Sequence, residues 1–592
     1  MLSCQRLLQE RIISLLQSCK TIKHLRQVQS QVTANGFSRS EHIVQKVIVA
    51  CGLLKETECA RKLFDEIPVP SVSCWNTMFK CHYLNAEHRE VIILFCLMRS
   101  FDIVPNGYSF PVVLKSCIKI NALREGKELH CLVTKSGFAS NSFVGTTLVE
   151  LYSNRNLIEA AYKIFCEMPE RNVVAWTVMI NGYISCHDII AARRLFDLAP
   201  EHDVVMSNTM ILGYFEVGDM IRARELFDKM SRKDLMSWNT VLNGYANNGD
   251  VEACEALFEK MPEKNIFSWN GLIGGYAHNG RFPQVLTTFN RMLAENKVKP
   301  NEATLVMVLS ACARLGALVL GKWVHIQAKA NGYSGNCRVG NALIDMYAKS
   351  GAMESAIDVF RSMKRKDLIS WNTMICGLAT HGHGADALNM FSEMKNAGEK
   401  PDSITFIGIL SGCAHMGFVE DGFSYLKSMI DDYSIEPQIE HYGCIVDLLA
   451  RAGLLAQAVD FIVKMPKEAD AVMWATLLAS CRVYKNVEFA ELALEKLVEF
   501  DPKNPTNYVM LSNVYGDIGR WKDLARLKVA TRDTGFRKLP GCSLIEVNDV
   551  VSEFYSLDER HPDKEQIYES LKGLTMLSRL YGNIPEGDTD ID

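Results

Sequence analysis

A helical motif repeats along most of this chain, and this repetition constrains the fold more than any other feature. The clearest copies are VVAWTVMINGY, LMSWNTVLNGY, IFSWNGLIGGY and LISWNTMICGL, beginning at Val173, Leu235, Ile266 and Leu368. From Ser142 to Asn265 the period is 31 residues, four times in succession. The same side chain therefore recurs at the same place on near-identical units. Because such units pack mainly on their neighbours, the pattern predicts a solenoid, a surface suited to a linear partner.

Each unit has the pattern of a helical hairpin. In the unit from Leu235 to Asn265, Asn248 and Gly249 separate the two helices, Asp250 is placed to cap the second helix, and Pro262 ends it. Apolar residues at intervals of three and four form one stripe per helix: Trp238, Val241, Leu242 and Tyr245, then Val251, Cys254, Leu257, Phe258 and Met261. Two short helices cannot bury both stripes alone, so we expect neighbouring hairpins to stack around a concave groove.

Composition agrees with a mostly helical chain. At 592 residues and 48% hydrophobic content the chain is too long for one ordinary domain, a limit that a solenoid escapes. The longest apolar run, Val91 to Met98, is much shorter than the roughly 18 residues of a membrane span. The 19 cysteines include no C-x-x-C pair, which argues against a zinc ribbon or a disulfide framework. We expect them to be small core residues in a reducing compartment.

A polar side chain interrupts each first helix just after the tryptophan. An amide recurs there at Asn76, Asn208, Asn239, Asn270 and Asn372, and Thr177 takes the same place in another copy. Packing alone does not require this residue. An amide both donates and accepts hydrogen bonds, so it can recognise the edge of a base. The competing interpretation is that the asparagine caps or bridges neighbouring backbones.

These copies resemble pentatricopeptide repeats, specifically the plant form that mixes units of 31, 35 and 36 residues. On that alignment the units end at Asn106, Asn141, Asn172, Asp203, Asp234, Asn265, Asn301, Asn336, Asp367, Asp402, Gln438 and Asp470. The array then covers residues 72–470, and weaker copies fill the preceding segment, 1–71, from about Gln9. The resemblance implies an all-α, right-handed superhelical solenoid of stacked helix-turn-helix repeats. It also implies single-stranded RNA as the ligand, with one base bound per repeat.

In this family the fifth residue of a unit faces the base and the last residue assists it. The resemblance therefore implies uridine recognition by Asn208/Asp234, Asn341/Asp367 and Asn372/Asp402. It implies pyrimidine recognition favouring cytidine by Asn76/Asn106, Asn239/Asn265 and Asn270/Asn301, adenosine recognition by Thr146/Asn172 and guanosine recognition by Thr177/Asp203. Units with Pro111, Val306 or Ile407 at the fifth position fall outside the scheme. For a chain parallel to RNA, the expected core is Y, any, A, G, U, Y, Y, any, U, U.

The net charge of −5 is unusual for a nucleic-acid-binding protein, because phosphate neutralisation supplies much of the affinity. The charge is unevenly distributed. From Gly541 onward there are twelve acidic and four basic residues, so residues 1–540 carry about +3. Binding is therefore expected to depend on base contacts more than on a cationic surface, and an all-protein ligand stays open as an alternative.

The carboxyl-terminal segment resembles the E and E-plus extensions of plant organellar RNA editing factors. The matching stretches include HYGCIVDLLARAGLLAQAVDFIVKMP, AVMWATLLASCRVYKNVEFAELALEKLVEFDP and LPGCSLIEVNDVVSEFYSLDERHPDKEQIYESL. On this basis residues 471–540 form the E extension and residues 541–592 an E-plus-like segment with an acidic tail. Such factors bind RNA just 5′ of a cytidine that is deaminated to uridine. In many relatives a zinc-dependent deaminase with H-x-E and C-x-x-C motifs follows.

That deaminase pattern does not occur in these residues. The single H-x-E, from His88 to Glu90, is expected between the two helices of a repeat and has no C-x-x-C partner. We therefore expect no metal, no cofactor and no catalytic activity. The expected partners are single-stranded organellar RNA, a deaminase-bearing protein supplied in trans and editing accessory proteins.

Three functions are open on the sequence. The favoured one is site recognition for C-to-U RNA editing. The second is an organellar splicing or transcript-stabilising factor, and the third is a protein-binding scaffold, which the mixed unit lengths disfavour. The first 30 residues contain five basic residues and one acid, a composition typical of a transit peptide, although they also resemble a degenerate repeat. We expect the mitochondrion, with the chloroplast as the alternative.

Overall fold

The computed structural model describes residues 2–19, 21–37, 40–502, 504–532, 542–547, 550–555 and 564–580. These residues belong to two compact units, one ending at Lys264 and one beginning at Asn265. The described helices of the first unit are α1 (Leu2–Gln17), α2 (Ile22–Ala34), α3 (Glu41–Leu53), α4 (Thr57–Asp65), α5 (Val72–Leu84), α6 (His88–Ser100), α7 (Ser109–Lys119), α8 (Leu123–Lys135), α9 (Ser142–Ser153), α10 (Ile158–Glu167), α11 (Val173–Ser185), α12 (Ile189–Leu198), α13 (Val204–Glu216), α14 (Met220–Lys229), α15 (Leu235–Asn247) and α16 (Val251–Lys260).

The second unit continues the same alternation of first and second helices. Its described elements are α17 (Ile266–His278), α18 (Phe282–Glu295), α19 (Glu302–Leu315), α20 (Leu318–Ala330), α21 (Cys337–Lys349), α22 (Met353–Ser362), α23 (Leu368–Thr380), α24 (Gly384–Asn396), α25 (Ser403–Met416), α26 (Val419–Asp431), α27 (Ile439–Arg451), α28 (Leu455–Lys464), α29 (Ala471–Val483), α30 (Val487–Phe500), α31 (Pro505–Ile518), α32 (Trp521–Arg532), β1 (Cys542–Val547), β2 (Val550–Tyr555) and α33 (Lys564–Leu580).

Within each unit the hairpins stack side by side, as the apolar stripes predict. First helices pack on first helices, for example α9 on α11 and α11 on α13, and each second helix packs on the first helix of the following hairpin. In the hairpin α15–α16 every predicted stripe residue is buried except Trp238, which is half-buried. Asp250 caps α16 by accepting a hydrogen bond from the amide of Ala253 at 3.0 Å. These predictions are confirmed.

An aromatic pair joins successive hairpins. A phenylalanine in the second helix of one repeat meets the tryptophan of the next first helix edge to face, and the two residues are always eleven positions apart. The ring centroids are 4.6 Å apart for Phe64 and Trp75, 4.9 Å for Phe165 and Trp176, 5.0 Å for Phe227 and Trp238, and 4.9 Å for Phe360 and Trp371. Edge-to-face pairs add to the burial of both rings, so the spacing fixes how one hairpin sits on the next.

The basic residue just before the end of a repeat has a structural role. Lys366 lies over the Phe360 ring, 5.1 Å from its centroid, and donates to the Met363 carbonyl at 3.0 Å. Lys233 makes the equivalent contacts with the Phe227 ring and the Met230 carbonyl, and Arg171 lies over the Phe165 ring and donates to the Phe165 and Cys166 carbonyls. These side chains satisfy carbonyls at the end of the second helix, where a positive charge is favourable.

Close approach of first helices requires glycine at one position. A Cβ added to Gly244 would overlap the Phe215 ring of the preceding first helix. We expect Gly244→Ala to lower the free energy of unfolding by about 1 to 3 kcal/mol, the usual cost of overpacking. Gly443→Ala is the matched control, because its Cβ would meet only Met473 carbons at 3.8 Å or more. Urea unfolding followed by circular dichroism measures both, and equal stability of the two variants would contradict this account.

The all-α solenoid class is confirmed for the repeats, and the described residues add one local departure from it. Strands β1 and β2 pair antiparallel, with Cys542 opposite Tyr555 and Val547 opposite Val550. Their sequences, CSLIEV and VVSEFY, are rich in β-branched and aromatic residues. That composition favours strands, a local signal that the all-α prediction did not use.

Two further expectations need correction. His88 does not lie between the helices of its repeat but is the first residue of α6, because the chain turns earlier, at Ala86, whose φ is 62°. Many described cysteines are buried, as expected, but Cys96, Cys131 and Cys166 are exposed, since they lie off the buried stripes of their second helices. No described helix combines the length and apolarity needed to cross a membrane.

Candidate nucleic-acid interface

The residues predicted to bind bases occupy one phase of the first helices. Each is the fifth residue of its helix: Asn76 in α5, Thr146 in α9, Thr177 in α11, Asn208 in α13, Asn239 in α15, Asn270 in α17, Asn341 in α21 and Asn372 in α23. Residues at the same position of successive stacked helices form a row, so within each unit these side chains lie along a common face.

The last residue of a repeat is the N-cap of the next first helix, a role that the sequence interpretation missed. The side chains that accept a hydrogen bond from a backbone amide of that helix are Asn172, Asp203, Asp234, Asn265, Asn301, Asp367 and Asp402. Asn106 accepts in the same way from the amides of Tyr108 and Ser109. Asparagine and aspartate are both favoured caps, so this position is fixed in space whichever of the two is present.

Four predicted pairs are joined by a direct hydrogen bond from the amide Nδ2 to Oδ1 of the closing residue. The donor–acceptor distances are 3.0 Å for Asn76 and Asn106, 3.0 Å for Asn270 and Asn301, 3.2 Å for Asn341 and Asp367, and 2.9 Å for Asn372 and Asp402. The structure thus brings together residues 26 to 31 positions apart in these pairs. These contacts join two side chains and not the neighbouring backbones of the competing interpretation.

A hydroxyl of the next first helix contacts three of these amides. The Oδ1 atoms of Asn76, Asn270 and Asn372 accept from Ser109, Thr304 and Thr405 at 2.7, 2.6 and 2.6 Å. In each closing residue Oδ1 accepts from a backbone N–H or belongs to a carboxylate, so the fifth-residue atom that contacts it is the donor Nδ2 and the other amide atom is Oδ1. The fifth residue and the closing residue therefore present defined donors and acceptors.

The remaining predicted residues are held differently. Neither amide atom of Asn208 meets a hydrogen-bond partner among the described residues, although the residue is buried, with only 7% of its surface exposed. The hydroxyls of Thr146 and Thr177 donate to carbonyls of their own helices, Ser142 at 2.7 Å and Val173 at 2.8 Å. Asn239 is half-buried in the first unit, and Asn265 caps α17 in the second.

Hydrogen bonds keep two closing carboxylates ionised. The backbone N–H of Ser237 lowers the pKa of Asp234, and the Ser237 hydroxyl acts in the same direction. Burial raises the pKa of Asp367, but hydrogen bonds from Ser370 and Asn341 outweigh it and hold this pKa below its usual range. Both groups therefore present negative charge at neutral pH.

The lowered pKa of Asp234 predicts a pH dependence of stability. A carboxyl whose pKa is lower in the folded than in the unfolded state stabilises the fold above the unfolded pKa, about 3.9, and this contribution is lost as the pH falls through the folded pKa. Asp234→Asn keeps the cap but cannot titrate. We expect the difference in melting temperature between the wild type and Asp234→Asn to be constant above about pH 5 and to fall toward pH 3. A difference independent of pH would contradict the assignment.

A row of exposed apolar side chains lies three residues before the fifth position, on the same helix face. More than half of the side chain is accessible in Val174, Val205, Met236, Phe267, Ile369 and Ile404. Sequence reasoning did not single these residues out. The signal was present, since a large apolar residue recurs at the second position of the five consecutive repeats from Ser142 to Asn301, and again at Ile369 and Ile404, although the buried stripe does not include it.

In the compact unit that begins at Asn265, exposed apolar residues of this row and a predicted base-binding pair line a cleft of about 440 Å³. Ile369 and Ile404 flank it, and Asn372 and Asp402 belong to its lining. Lys349 also lines it and forms an ion pair with Asp345 at 2.8 Å. The cleft thus combines apolar side chains on two sides, an amide and a carboxylate, and a nearby ammonium group. This combination suits a planar ligand that has a polar edge and a negative charge.

The repeat positions match known sequence families. The PPR repeat matches at residues 73–103, 146–173, 174–204, 205–235, 236–266, 341–368 and 404–433, and the PPR repeat family at residues 264–314 and 366–415. A pentatricopeptide repeat-containing protein of Arabidopsis thaliana is 44% identical, over 97% of this chain and 96% of the relative. The chain belongs to the pentatricopeptide repeat family. A chloroplastic relative from the same plant is 37% identical over 97% of this chain and 83% of its own length.

Residues 484–546 of this pentatricopeptide repeat protein match the E motif, as the carboxyl-terminal stretches predict. Among solved structures, it is similar to the pentatricopeptide repeat protein PPR10 in complex with an 18-nt psaJ RNA element, at 16% identity and a TM-score of 0.49, covering 89% of this chain and 92% of that chain. Over the described residues, no three His, Cys, Asp or Glu side chains are grouped as metal ligands.

Proposed function

We propose that this protein is a sequence-specific, single-stranded RNA-binding protein that recognises a site for C-to-U RNA editing and recruits a deaminase in trans. The observation that carries the RNA-binding part is the paired arrangement of fifth and closing residues along one helix face. In the cleft at Asn372, a base would lie between Ile369 and Ile404 with its polar edge toward the amide and Asp402. The residues proposed to contact bases are the eight pairs from Asn76/Asn106 to Asn372/Asp402.

The capping contacts explain why aspartate and asparagine would select different pyrimidines. Among the described residues, Thr405 and Asn372 both bond Oδ1 of the Asp402 carboxylate, so Oδ2 is the atom left for a ligand. Asn301 also uses Oδ1, toward Thr304 and Asn270, so its Nδ2 is left. Uridine has a donor at N3 and pairs with the acceptor, whereas cytidine has an acceptor at N3 and pairs with the donor.

The exposed apolar residues supply a second, base-independent part of the binding. Side chains such as Val205, Met236 and Phe267 stand beside the fifth residue and offer a surface to the face of a base. Stacking of this kind contributes about 1 to 3 kcal/mol per base when the side chain is aromatic. Phe267 is the aromatic member of this row, and we propose that the aliphatic members add apolar contacts to an affinity that draws little on the weak positive charge of residues 1–540.

The buried amide of Asn208 also favours a ligand. A buried amide without a partner costs about 1 to 3 kcal/mol, and a base at this position would satisfy it. The same argument applies to Oδ1 of Asn341, which meets no hydrogen-bond partner in the described part of the chain. These two residues belong to pairs proposed to recognise uridine.

The editing part of the proposal rests on the E motif. In the resemblance described above, this extension accompanies proteins that bind RNA 5′ of an edited cytidine, and we propose that it recruits the deaminase and accessory proteins. Relatives named chloroplastic or mitochondrial support an organellar location. We propose the mitochondrion, with the chloroplast as the alternative.

Transcript sequencing tests this function directly. In a plant that lacks the protein, we expect the loss of a C-to-U change 3′ of a sequence matching Y, any, A, G, U, Y, Y, any, U, U. In vitro, the purified protein should bind that RNA more tightly than a scrambled RNA of equal composition. Loss of splicing or of transcript ends without any editing defect would favour the second function, and equal binding of both RNAs would exclude the base scheme.

A further inference from the structure

The third residue of a repeat varies together with the fifth residue of the repeat before it. Of the twelve repeats in residues 72–470, six have asparagine at the fifth position, and each is followed by a repeat with a hydroxyl at its third position: Ser109, Ser237, Ser268, Thr304, Ser370 and Thr405. The other six have no asparagine there, and the following third residue never has a hydroxyl: Val144, Ala175, Met206, Val339, His441 and Met473. The hydroxyl thus accompanies the proposed base-contacting amide throughout the array.

In three repeats this hydroxyl contacts both members of the base-binding pair. Thr405 Oγ1 lies 2.6 Å from Oδ1 of Asn372 and 2.9 Å from Oδ1 of Asp402, and it accepts from the Asp402 backbone N–H at 3.0 Å. Thr304 and Ser109 contact the amide oxygens of their own pairs in the same way, at 2.6 and 2.7 Å. Because a hydroxyl has one hydrogen and the amide oxygen is the nearer acceptor, the hydroxyl donates to the asparagine.

Helix capping does not account for the hydroxyl. A serine or threonine at the third helical position can complete a capping box, and Thr405 does so with Asp402. Closing residues also cap where no hydroxyl follows, since Asp203 accepts from the Met206 N–H at 2.7 Å. The sequence therefore pairs the hydroxyl with the asparagine and not with the cap.

The third position is buried, so its hydroxyl does not itself touch a base. All six hydroxyl-bearing residues are fully buried, and so are Ala175 and Met206 at the equivalent place. An apolar residue therefore fills this site in repeats without asparagine. A buried hydroxyl is unfavourable unless it is hydrogen-bonded, so what it adds over an apolar residue is its bonds to the pair.

The bond from the hydroxyl restrains the amide that faces the ligand cleft. In Asn372 one Nδ2 hydrogen is directed at Asp402, and one lone pair of Oδ1 accepts from Thr405. Over the described residues, a second Nδ2 hydrogen and a second Oδ1 lone pair are left side by side for a base edge. Without the hydroxyl, one hydrogen bond instead of two would hold the plane of the amide.

We propose that the third-position hydroxyl is a positioning residue for base recognition by the repeat before its own. It holds the asparagine amide so that the remaining donor and acceptor meet the edge of the base. Base preference in these repeats is then set by three residues, the fifth, the closing and the following third. This inference rests on the proposed RNA binding and deepens it.

Two asparagine repeats have the hydroxyl but not its bond to the amide. Ser370 donates to Asp367 Oδ1 at 2.7 Å, and Oδ1 of Asn341 meets no hydrogen-bond partner among the described residues. Ser237 stands in the same relation to Asn208. Removal of the hydroxyl is therefore expected to matter most where the bond to the amide exists.

Removal of this hydroxyl at nearly constant size tests the proposal. In the full chain, Thr405→Val should reduce the uridine-to-cytidine affinity ratio at the nucleotide assigned to Asn372 about three- to tenfold, the effect of one hydrogen bond. Thr405→Ser keeps the hydroxyl and should keep the ratio within about twofold. The nucleotide assigned to Asn208 is the internal control, and its ratio should not change. Competition binding with RNAs that differ at one nucleotide measures both ratios.

A repeat without the hydroxyl allows the converse experiment. Thr146→Asn introduces an amide beside Asn172, but the following third residue is Ala175. Adding Ala175→Ser supplies the hydroxyl. We expect the cytidine-to-uridine ratio at this nucleotide to be at least about threefold higher in the double variant than in Thr146→Asn alone. Equal ratios in the two variants would contradict the positioning role.

Melting temperatures separate positioning from stability. Thr405→Val also removes a capping-box bond and should lower the melting temperature, but a loss of stability alone does not change a ratio between two bases. An unchanged ratio at the nucleotide assigned to Asn372, or an equal change at the Asn208 nucleotide, would overturn this inference alone. If Thr405→Val does not fold, Thr304→Val gives the same test at the nucleotide assigned to Asn270. A wild type that binds the expected RNA no better than a scrambled one would overturn the proposed function as well.

Discussion

Replacing Asp402 by asparagine is expected to change the preference of one repeat from uridine to cytidine. The substitution alters neither size nor capping, because Oδ1 carries the contacts with Thr405 and Asn372 in either residue. It exchanges the remaining acceptor, Oδ2, for a donor. Since a mismatched polar edge loses one hydrogen bond and leaves another group unsatisfied, we expect the uridine-to-cytidine affinity ratio to change by about 10- to 100-fold.

The chain offers a reciprocal variant and a matched control for this exchange. Asn301→Asp makes the opposite change and should shift its repeat toward uridine. Asp470→Asn alters an identical cap, which accepts from the Met473 amide at 2.9 Å, but its repeat has Gly443 at the fifth position. It should leave every base preference unchanged. Competition binding with RNAs differing at one position measures all three, and an unchanged ratio in Asp402→Asn would refute the donor–acceptor account.

The fold was predictable because its determinants are local and repeated. The stripes of α15 and α16, the turn at Gly249 and the cap at Asp250 all lie within one 31-residue unit, so periodicity and capping rules identify them. The spacing of eleven between phenylalanine and tryptophan was also visible, although its edge-to-face geometry was not. The strand pair was not predicted, because the all-α fold class was inferred from the repeats and residues 541–592 received no secondary-structure prediction.

The positions of the candidate site residues were predictable from the sequence, but the atoms that each residue leaves available for a ligand were not. Resemblance alone supplied the pairing of residues such as Asn372 and Asp402, which are 30 positions apart. Which atom of each pair stays available depends on hydrogen bonds to a third residue, Thr405, in the next helix. No local pattern contains that information. For the same reason the sequence did not distinguish Asn208, which has no partner among the described residues, from Asn372, which has two.

Two phenylalanines nine residues apart should separate folding from binding. Phe258 is fully buried in α16, with the Lys264 ammonium 5.0 Å from its ring centroid, whereas Phe267 at the second position of α17 is 66% exposed. We expect Phe258→Ala to lower the free energy of unfolding by about 3 to 5 kcal/mol, because it removes a packed ring and leaves a cavity. Phe267→Ala should change stability by less than about 0.5 kcal/mol, as an exposed side chain does.

For RNA affinity we expect the larger effect from Phe267→Ala and the smaller from Phe258→Ala, when both variants are measured well below their melting temperatures. Phe267→Ala removes a stacking surface beside Asn270 and should weaken binding about tenfold for any base at that position, since stacking does not depend on base identity. Phe258→Ala, where folded, should change affinity uniformly and by less. A stable Phe267→Ala protein with unaltered RNA affinity would show that the exposed row serves no stacking role, because the substitution touches neither the core nor the polar pair. The two substitutions differ because the Phe258 ring is buried among packed helices, whereas the Phe267 ring is exposed and is proposed to contact a base.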